Sequence, residues 1–330
     1  MEHVKLGSTG ARVSRIILGC GNFGGIGSAP AFFGQGESDE EAAAIMDAAF
    51  EMGINVFDTA DAYGGGRSES AIGKWLAGKG SAVRDQVLIS SKAYNPIGDG
   101  PNDYGLSRRH LKRQVESSLG RLGVEHLDLF LTHEPDEDTP LEETLGALDD
   151  LVRAGAIHYL GASNIPAWEL VRSLWLSERD HLSRFGWVQN SFSLLERGPE
   201  QELFPALEAF GLGFTPFSPL AGGWLTGKYR RDTPAPAGSR MTLRPEPYTH
   251  LVADQTFDAL EAFEREATER GVSMAGLALG WLLHHPRVTS VIVGPRRPEQ
   301  LEPAREALEL ELTPSEHASI HALFDPVPRG

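Results

Sequence analysis

Gly19-Cys20-Gly21-Asn22-Phe23-Gly24, entered from the apolar run Ile16-Ile17-Leu18, is the stretch on which the fold turns. It matches GxGxxG, and Asp58 closes the next apolar run, the spacing of a doubly wound nucleotide-binding unit. That unit requires a helix opening at its third glycine, so that a pyrophosphate can meet the helix N-terminus. Here positions 25–36 form a loop rich in Gly, Ala and Pro, and a helix signal first occurs at Ser38-Asp39-Glu40-Glu41, a capping box. The stretch therefore reads as a strand whose glycine-rich end opens into a loop.

Working outward, β-rich apolar runs alternate with amphipathic helical stretches. The pattern predicts strands at Ile16–Leu18, Asn55–Asp58, Val87–Ser90, Leu127–Leu131, Tyr159–Gly161, Trp187–Gln189, Gly213–Pro216 and Ser290–Val293. Helices are expected over Ala42–Met52 and over Arg108–Leu122, the latter capped by Ser107. Another is expected from Thr139-Pro140-Leu141-Glu142, with Pro140 in the first turn, and a last one after Thr313-Pro314-Ser315-Glu316. Near-continuous apolar strands separated by helices imply a parallel sheet covered on its outer face. The predicted class is α/β, a (β/α)8 TIM barrel forming one domain over residues 1–330. Val4 to Arg15 predicts an N-terminal β-hairpin around Ser8-Thr9-Gly10, and 230–250 an extended loop after strand seven.

Composition narrows the function. Lys and Arg number 30 against 46 Asp and Glu, a net charge of −16 that disfavours nucleic acid or an anionic membrane as partner. Neither a signal peptide nor a spanning apolar run is present, so a cytoplasmic location is expected. The single cysteine, Cys20, excludes an intrachain disulfide and a cysteine-based zinc site, and it reads as a small buried hydrophobe. His284-His285 before Pro286 reads as a helix end, so no metal is expected.

Polar residues collect at the carboxyl ends of the predicted strands: Asp58, Lys92, His133, Ser163-Asn164, Gln189-Asn190, Phe217-Ser218 and Gly294 to Arg297. In a (β/α)8 barrel these ends converge on the face that carries active sites. The chemistry they suggest is proton transfer to a developing alkoxide. A lysine ammonium beside a phenol lowers the phenol's pKa, and a carboxylate keeps that lysine charged despite burial. Asp58, Tyr63 and Lys92 supply the three groups, and His133 can donate a hydrogen bond to a substrate carbonyl. Singly, Asp58 could be a cap, Lys92 a surface lysine and His133 a loop histidine; together they read as a site.

In this order, Phe57-Asp58-Thr59-Ala60-Asp61-Ala62-Tyr63-Gly64, Ser90-Ser91-Lys92, Leu131-Thr132-His133, Gly161-Ala162-Ser163-Asn164, Val188-Gln189-Asn190, Ser218-Pro219-Leu220-Ala221-Gly222-Gly223 and Gly227-Lys228-Tyr229 resemble the aldo-keto reductases. The resemblance is to their bacterial and potassium-channel-β-like branch and covers essentially the whole chain. It implies direct, metal-free hydride transfer between a nicotinamide cofactor and an aldehyde or ketone, with Tyr63 as general acid and base. Lys92 and Asp58 would tune Tyr63, and His133 would position the carbonyl. Ser163, Asn164 and Gln189 would hold the nicotinamide carboxamide, beneath which Phe217 would stack. Ser218, Leu220 and Gly222 would place backbone groups on the pyrophosphate with Lys228 as its counter-charge, Gly294, Arg296 and Gln300 would line the adenosine end, and Gly21 and Asp58 would also contact the cofactor. NADPH is expected over NADH because Arg240 and Arg296 could grip a 2′-phosphate. Pro303-Ala304 departs from the family's acid and asparagine near the adenine.

Two rivals make different demands. A Schiff-base aldolase would use Lys92 as nucleophile and leave the segments after strands seven and eight without a purpose. A cofactor-sensing regulatory subunit would keep nucleotide affinity with very slow turnover. Phe23, Tyr94, Trp187 and Trp224 are candidate walls of the substrate pocket, beneath a loop at 95–106.

Overall fold

The computed structural model describes residues 1–325. It opens with the expected hairpin, β1 (His3–Lys5) paired antiparallel with β2 (Arg12–Ser14). Eight strands follow: β3 (Ile16–Gly19), β4 (Val56–Asp58), β5 (Leu88–Ala93), β6 (Leu127–Thr132), β7 (Ile157–Ser163), β8 (Phe185–Gln189), β9 (Gly213–Phe214) and β10 (Val291–Val293). Parallel ladders join them in the order β10-β3-β4-β5-β6-β7-β8-β9. The ring closes between β9 and β10, where Thr289 N–H donates to Phe214 O at 2.8 Å and Ile292 N–H to Pro216 O at 3.0 Å. The fold is a (β/α)8 barrel. GxGxxG does not open a helix: the first long helix runs Asp39–Glu51, capped by the Ser38–Glu41 box.

Side-chain alternation divides the barrel into a floor and a mouth. Ile17, Val56, Leu129, Leu131, Trp187 and Ile292 point inward and pack with Leu6, Ala11 and Val13 of the hairpin, which plugs the amino-terminal end. Two residues further along the same inward columns stand Gly19, Asp58, His133, Gln189 and Gly294; Ser90 and Lys92 follow Leu88 likewise. The outward-facing Ile16, Leu18, Phe57, Ile89, Phe130 and Val188 pack under the helices.

The plug depends on Gly7. Its φ is +50°, and a Cβ there would lie 2.1 Å from Gly213 N and 2.2 Å from Gly186 O. Gly7→Ala therefore meets both left-handed strain and backbone overlap, and should cost about 3 kcal/mol or more. A denaturant midpoint unchanged from wild type would refute this.

Several boundaries differ from expectation. Strand β5 continues past Ser90 to Ala93, placing Lys92 inside the strand, and β7 continues to Ser163, because ladder partners on both sides extend the pairing. Pro140 is the N-cap of the helix Leu141–Arg153 and lies outside its first turn. The expected loop at 230–250 contains helical turns at Arg240–Leu243 and Glu246–Leu251. Among the described residues no helix is long and apolar enough to cross a membrane.

Candidate active site

Asp58 ends β4 on the inner face, and its two oxygens are shared among three donors. Lys92 Nζ donates to Oδ1 at 2.5 Å, while Ser90 Oγ and Gln189 Nε2 donate to Oδ2 at 2.9 and 3.0 Å. Lys92 is fully buried and donates a second bond to Thr59 O at 2.8 Å. Burial works to lower its pKa, yet the Asp58 carboxylate and the Tyr63 phenol carry it above its ordinary value. The ammonium is thus held charged in the barrel wall, 5.1 Å from the centroid of the Tyr63 ring.

Tyr63 follows β4 in a short helical turn, Tyr63–Gly65. Its Oη lies 3.5 Å from His133 Nε2, at the long end of hydrogen bonding. Asn95 Nδ2 is 3.0 Å from His133 Nδ1. An amide nitrogen only donates, so Nδ1 accepts and the ring proton sits on Nε2, facing Tyr63. Burial, reinforced by Lys92, depresses the His133 pKa to about 3, so the imidazole is neutral at working pH.

One expectation is reversed. Burial raises the Tyr63 pKa above its ordinary value, and the downward pull of Lys92 does not overcome it. Part of the residue reaches solvent, but the phenol is enclosed enough for desolvation to win. At neutral pH Tyr63 is therefore an acid with its proton in place.

The other predicted residues gather around this centre. Ser163 and Gln189 are buried at the ends of β7 and β8, and Asn164 follows with a left-handed backbone, φ 54°. Gly21 lies against the Tyr63 ring, where a Cβ would come within 3.5 Å of it. Phe217 packs on the barrel core with part of its surface open. After it, Ser218, Ala221, Gly222 and Gly223 all have positive φ, winding the backbone into a turn of the kind whose N–H groups can converge on an anion. The Tyr248 ring covers Gly222, and the exposed Lys228 folds its ammonium back over Gly223.

At the far rim, Arg240 is pushed below its ordinary pKa by burial and by the neighbouring charges of Arg244 and Arg296, despite Tyr248. Arg296 also pairs with the buried Glu37 at 2.6 Å, and its backbone N–H donates to Gln300 Oε1 at 2.7 Å. Gly294 lies beside Gly19 O, and Pro303-Ala304 begin the helix Glu302–Glu309 with Ala304 buried. Arg244, Glu37, Asn95 and Glu134 were not singled out in the sequence. Arg244 carried a signal, since it shares a basic loop with Arg240; the others act through partners remote in sequence.

The aromatic wall is corrected in three of four members. Phe23, Trp187 and Trp224 are core residues: Trp187 belongs to the barrel floor, and Trp224 packs on Tyr229 and Phe257. Tyr94 alone remains partly open, at the end of β5. Away from this face, His126, Asp128 and His158 form a cluster with metal-ligand spacing. The Arg84 guanidinium already occupies it, 3.1 Å from Asp128 Oδ2 and 3.3 Å from His126 Nε2. Cys20 is buried, and burial pushes its thiol well up, so it is no nucleophile.

A closed (β/α)8 barrel with a lysine–aspartate pair beneath a tyrosine at its carboxyl-terminal mouth belongs to a recognisable class of oxidoreductases. The aldo/keto reductase family model matches residues 15–325. An uncharacterized oxidoreductase, YrpG of Bacillus subtilis, is 40% identical over 94% of this chain and 92% of its own. L-glyceraldehyde 3-phosphate reductase of Escherichia coli K12 is 35% identical over 93% and 88%, respectively. A probable voltage-gated potassium channel β subunit of rice is 34% identical over 100% and 98%. The chain belongs to the aldo/keto reductase family, oxidoreductases that act on carbonyl groups and generally use nicotinamide cofactors.

Proposed function

We propose that this barrel, residues 1–330 as one catalytic domain, reduces aldehydes or ketones with NADPH and that Tyr63 protonates the product oxygen. The observation that carries the reading is the buried Lys92 ammonium, fixed by Asp58 and Thr59 O beside a phenol that also meets a neutral, Nε2-protonated His133. His133 Nε2–H and Tyr63 Oη–H lie 3.5 Å apart, close enough for one carbonyl oxygen to accept from both at once. As negative charge grows on that oxygen, the Tyr63 proton moves to it. The phenolate left behind is stabilised by Lys92, whose own charge Asp58 maintains. A bound nicotinamide supplies the hydride.

Residues present suit that cofactor. The left-handed turn of 218–223 and Lys228 offer N–H groups and a cation to a pyrophosphate, and Gly21 leaves space against Tyr63. Arg244 and Arg296 both bring positive charge to bear on the partly buried Arg240, an arrangement that a 2′-phosphate would relieve. Arg240→Ala should weaken NADPH binding by about 10- to 100-fold while leaving NADH binding nearly unchanged. Equal losses for both nucleotides would remove Arg240 from phosphate recognition.

The raised Tyr63 pKa keeps the acid form available throughout neutral pH, whereas alcohol oxidation needs the phenolate. The Schiff-base alternative fits poorly: an amine pinned between Asp58 and Thr59 O and kept protonated is not a nucleophile. Fluorescence titration with NADPH and NADH, followed by an absorbance assay over a carbonyl panel, tests the proposal. Absence of binding by either nucleotide at sub-millimolar concentration would sink it.

A further inference from the structure

Glu134 follows His133 at the outlet of β6 and has no part in the chemistry above. Its Oε1 accepts from Asn164 Nδ2 at 2.9 Å, and the same nitrogen donates to His133 O at 3.0 Å. Ser163 Oγ lies 3.3 Å from that nitrogen. Both N–H bonds of the amide are thus committed to acceptors inside the protein, so Oδ1 is the atom left for a ligand. The left-handed backbone of Asn164 fixes the residue where β7 gives way to its loop.

We propose that Glu134 is a positioning residue whose carboxylate holds Asn164 with its Oδ1 ready to accept from the carboxamide NH2 of a nicotinamide. The inference rests on the nucleotide reading given above. It also makes nucleotide binding respond to pH. Burial raises the Glu134 pKa to about 7. The titratable group facing it is the Tyr94 hydroxyl, just past the end of β5; the Asp136 carboxylate on its own loop is turned to the backbone N–H groups of Leu106 and Asp138, and the adjoining His133 is neutral. Above pH 7 the carboxylate accepts from Asn164. Below it the carboxylic acid becomes a donor, competes for Oδ1 and releases the amide from its orientation. Affinity is therefore full above pH 7 and declines as pH falls. The oxidised nicotinamide carries positive charge and the reduced form none, so the decline is steeper for NADP+ than for NADPH.

The test is calorimetric binding of NADP+ and NADPH to the full chain from pH 5.5 to 8.5, in wild type, Glu134→Gln and Glu134→Leu. A phosphomonoester's own second ionisation near pH ~6 is common to all three proteins, so the readout is the difference between profiles. Wild type should lose about tenfold in NADP+ affinity between pH 8 and 6 beyond the loss in Glu134→Gln, as one group of pKa near 7 requires. Glu134→Gln carries no charge and its amide N–H can compete for Asn164 Oδ1 as the carboxylic acid does, so it should match wild type at pH 6 and show no comparable decline between pH 8 and 6. Glu134→Leu should bind weakly at every pH. Superimposable wild-type and Glu134→Gln profiles, or full affinity in Glu134→Leu, overturn the inference alone. Failure of wild type to bind either nucleotide overturns the reductase reading itself.

Discussion

Tyr63→Phe should bind NADPH as tightly as wild type and turn over about 10²- to 10⁴-fold more slowly, the range expected when a positioned general acid is removed. The substitution deletes one oxygen from a partly exposed ring. It leaves the Lys92–Asp58 pair and the ring's packing against Gly21 in place. Affinity and fold should therefore survive. Single-turnover hydride transfer, followed by loss of NADPH absorbance, separates the chemical step from binding. The neutral His133 cannot replace the lost acid, since its remaining proton is held on Nε2 with a strongly basic conjugate. Turnover within a factor of about three of wild type would remove Tyr63 from the acid's role.

Lys92→Met should lose activity by a comparable factor, and it should also lose about 3–5 kcal/mol of stability. The lysine is wholly enclosed, and its removal strands the Asp58 carboxylate 5% exposed among Ser90, Gln189 and Leu-lined barrel wall. Breaking one half of a buried ion pair leaves an uncompensated charge, which costs more than the pair was worth. Asp58→Asn in the same background removes that charge, so the double variant should recover much of the stability while remaining inactive. Denaturant unfolding and steady-state assay of both single variants and the double variant form the cycle. Recovery of activity together with stability would show that the pair is structural and does not tune Tyr63.

The barrel was legible because period and punctuation agreed. Apolar strands two residues deep per face, the Ser38 and Thr313 capping boxes, and the missing helix after Gly24 all led to the same ring. Asp58, Lys92 and His133 could be read as polar tips of inward-facing columns, while Tyr63 lies on the turn that follows β4. Direction of charge effects could not be read so well. Sequence places Lys92 near Tyr63, but whether the ammonium or the burial dominates the phenol depends on how much protein surrounds it. The aromatic residues failed for a similar reason. Trp187 and Trp224 have the composition of a pocket wall, and only depth in the barrel assigns them to the core. Asn95, Glu37 and Glu134 escaped because each matters through a single hydrogen bond to a residue on another strand or loop.

The inward columns have a consequence for how this scaffold can change. Within a strand, inserting or deleting one residue would carry the polar tip into the helical layer and drop an apolar side chain into the cleft. Leu131 would stand where His133 stands only if two residues were inserted together, and the ladder with β5 and β7 would no longer match. Strand lengths are consequently frozen. The loops at 95–106 and 230–250 carry no such parity, so they can lengthen or shorten and reshape the rim while the polar tips at the barrel mouth stay in place.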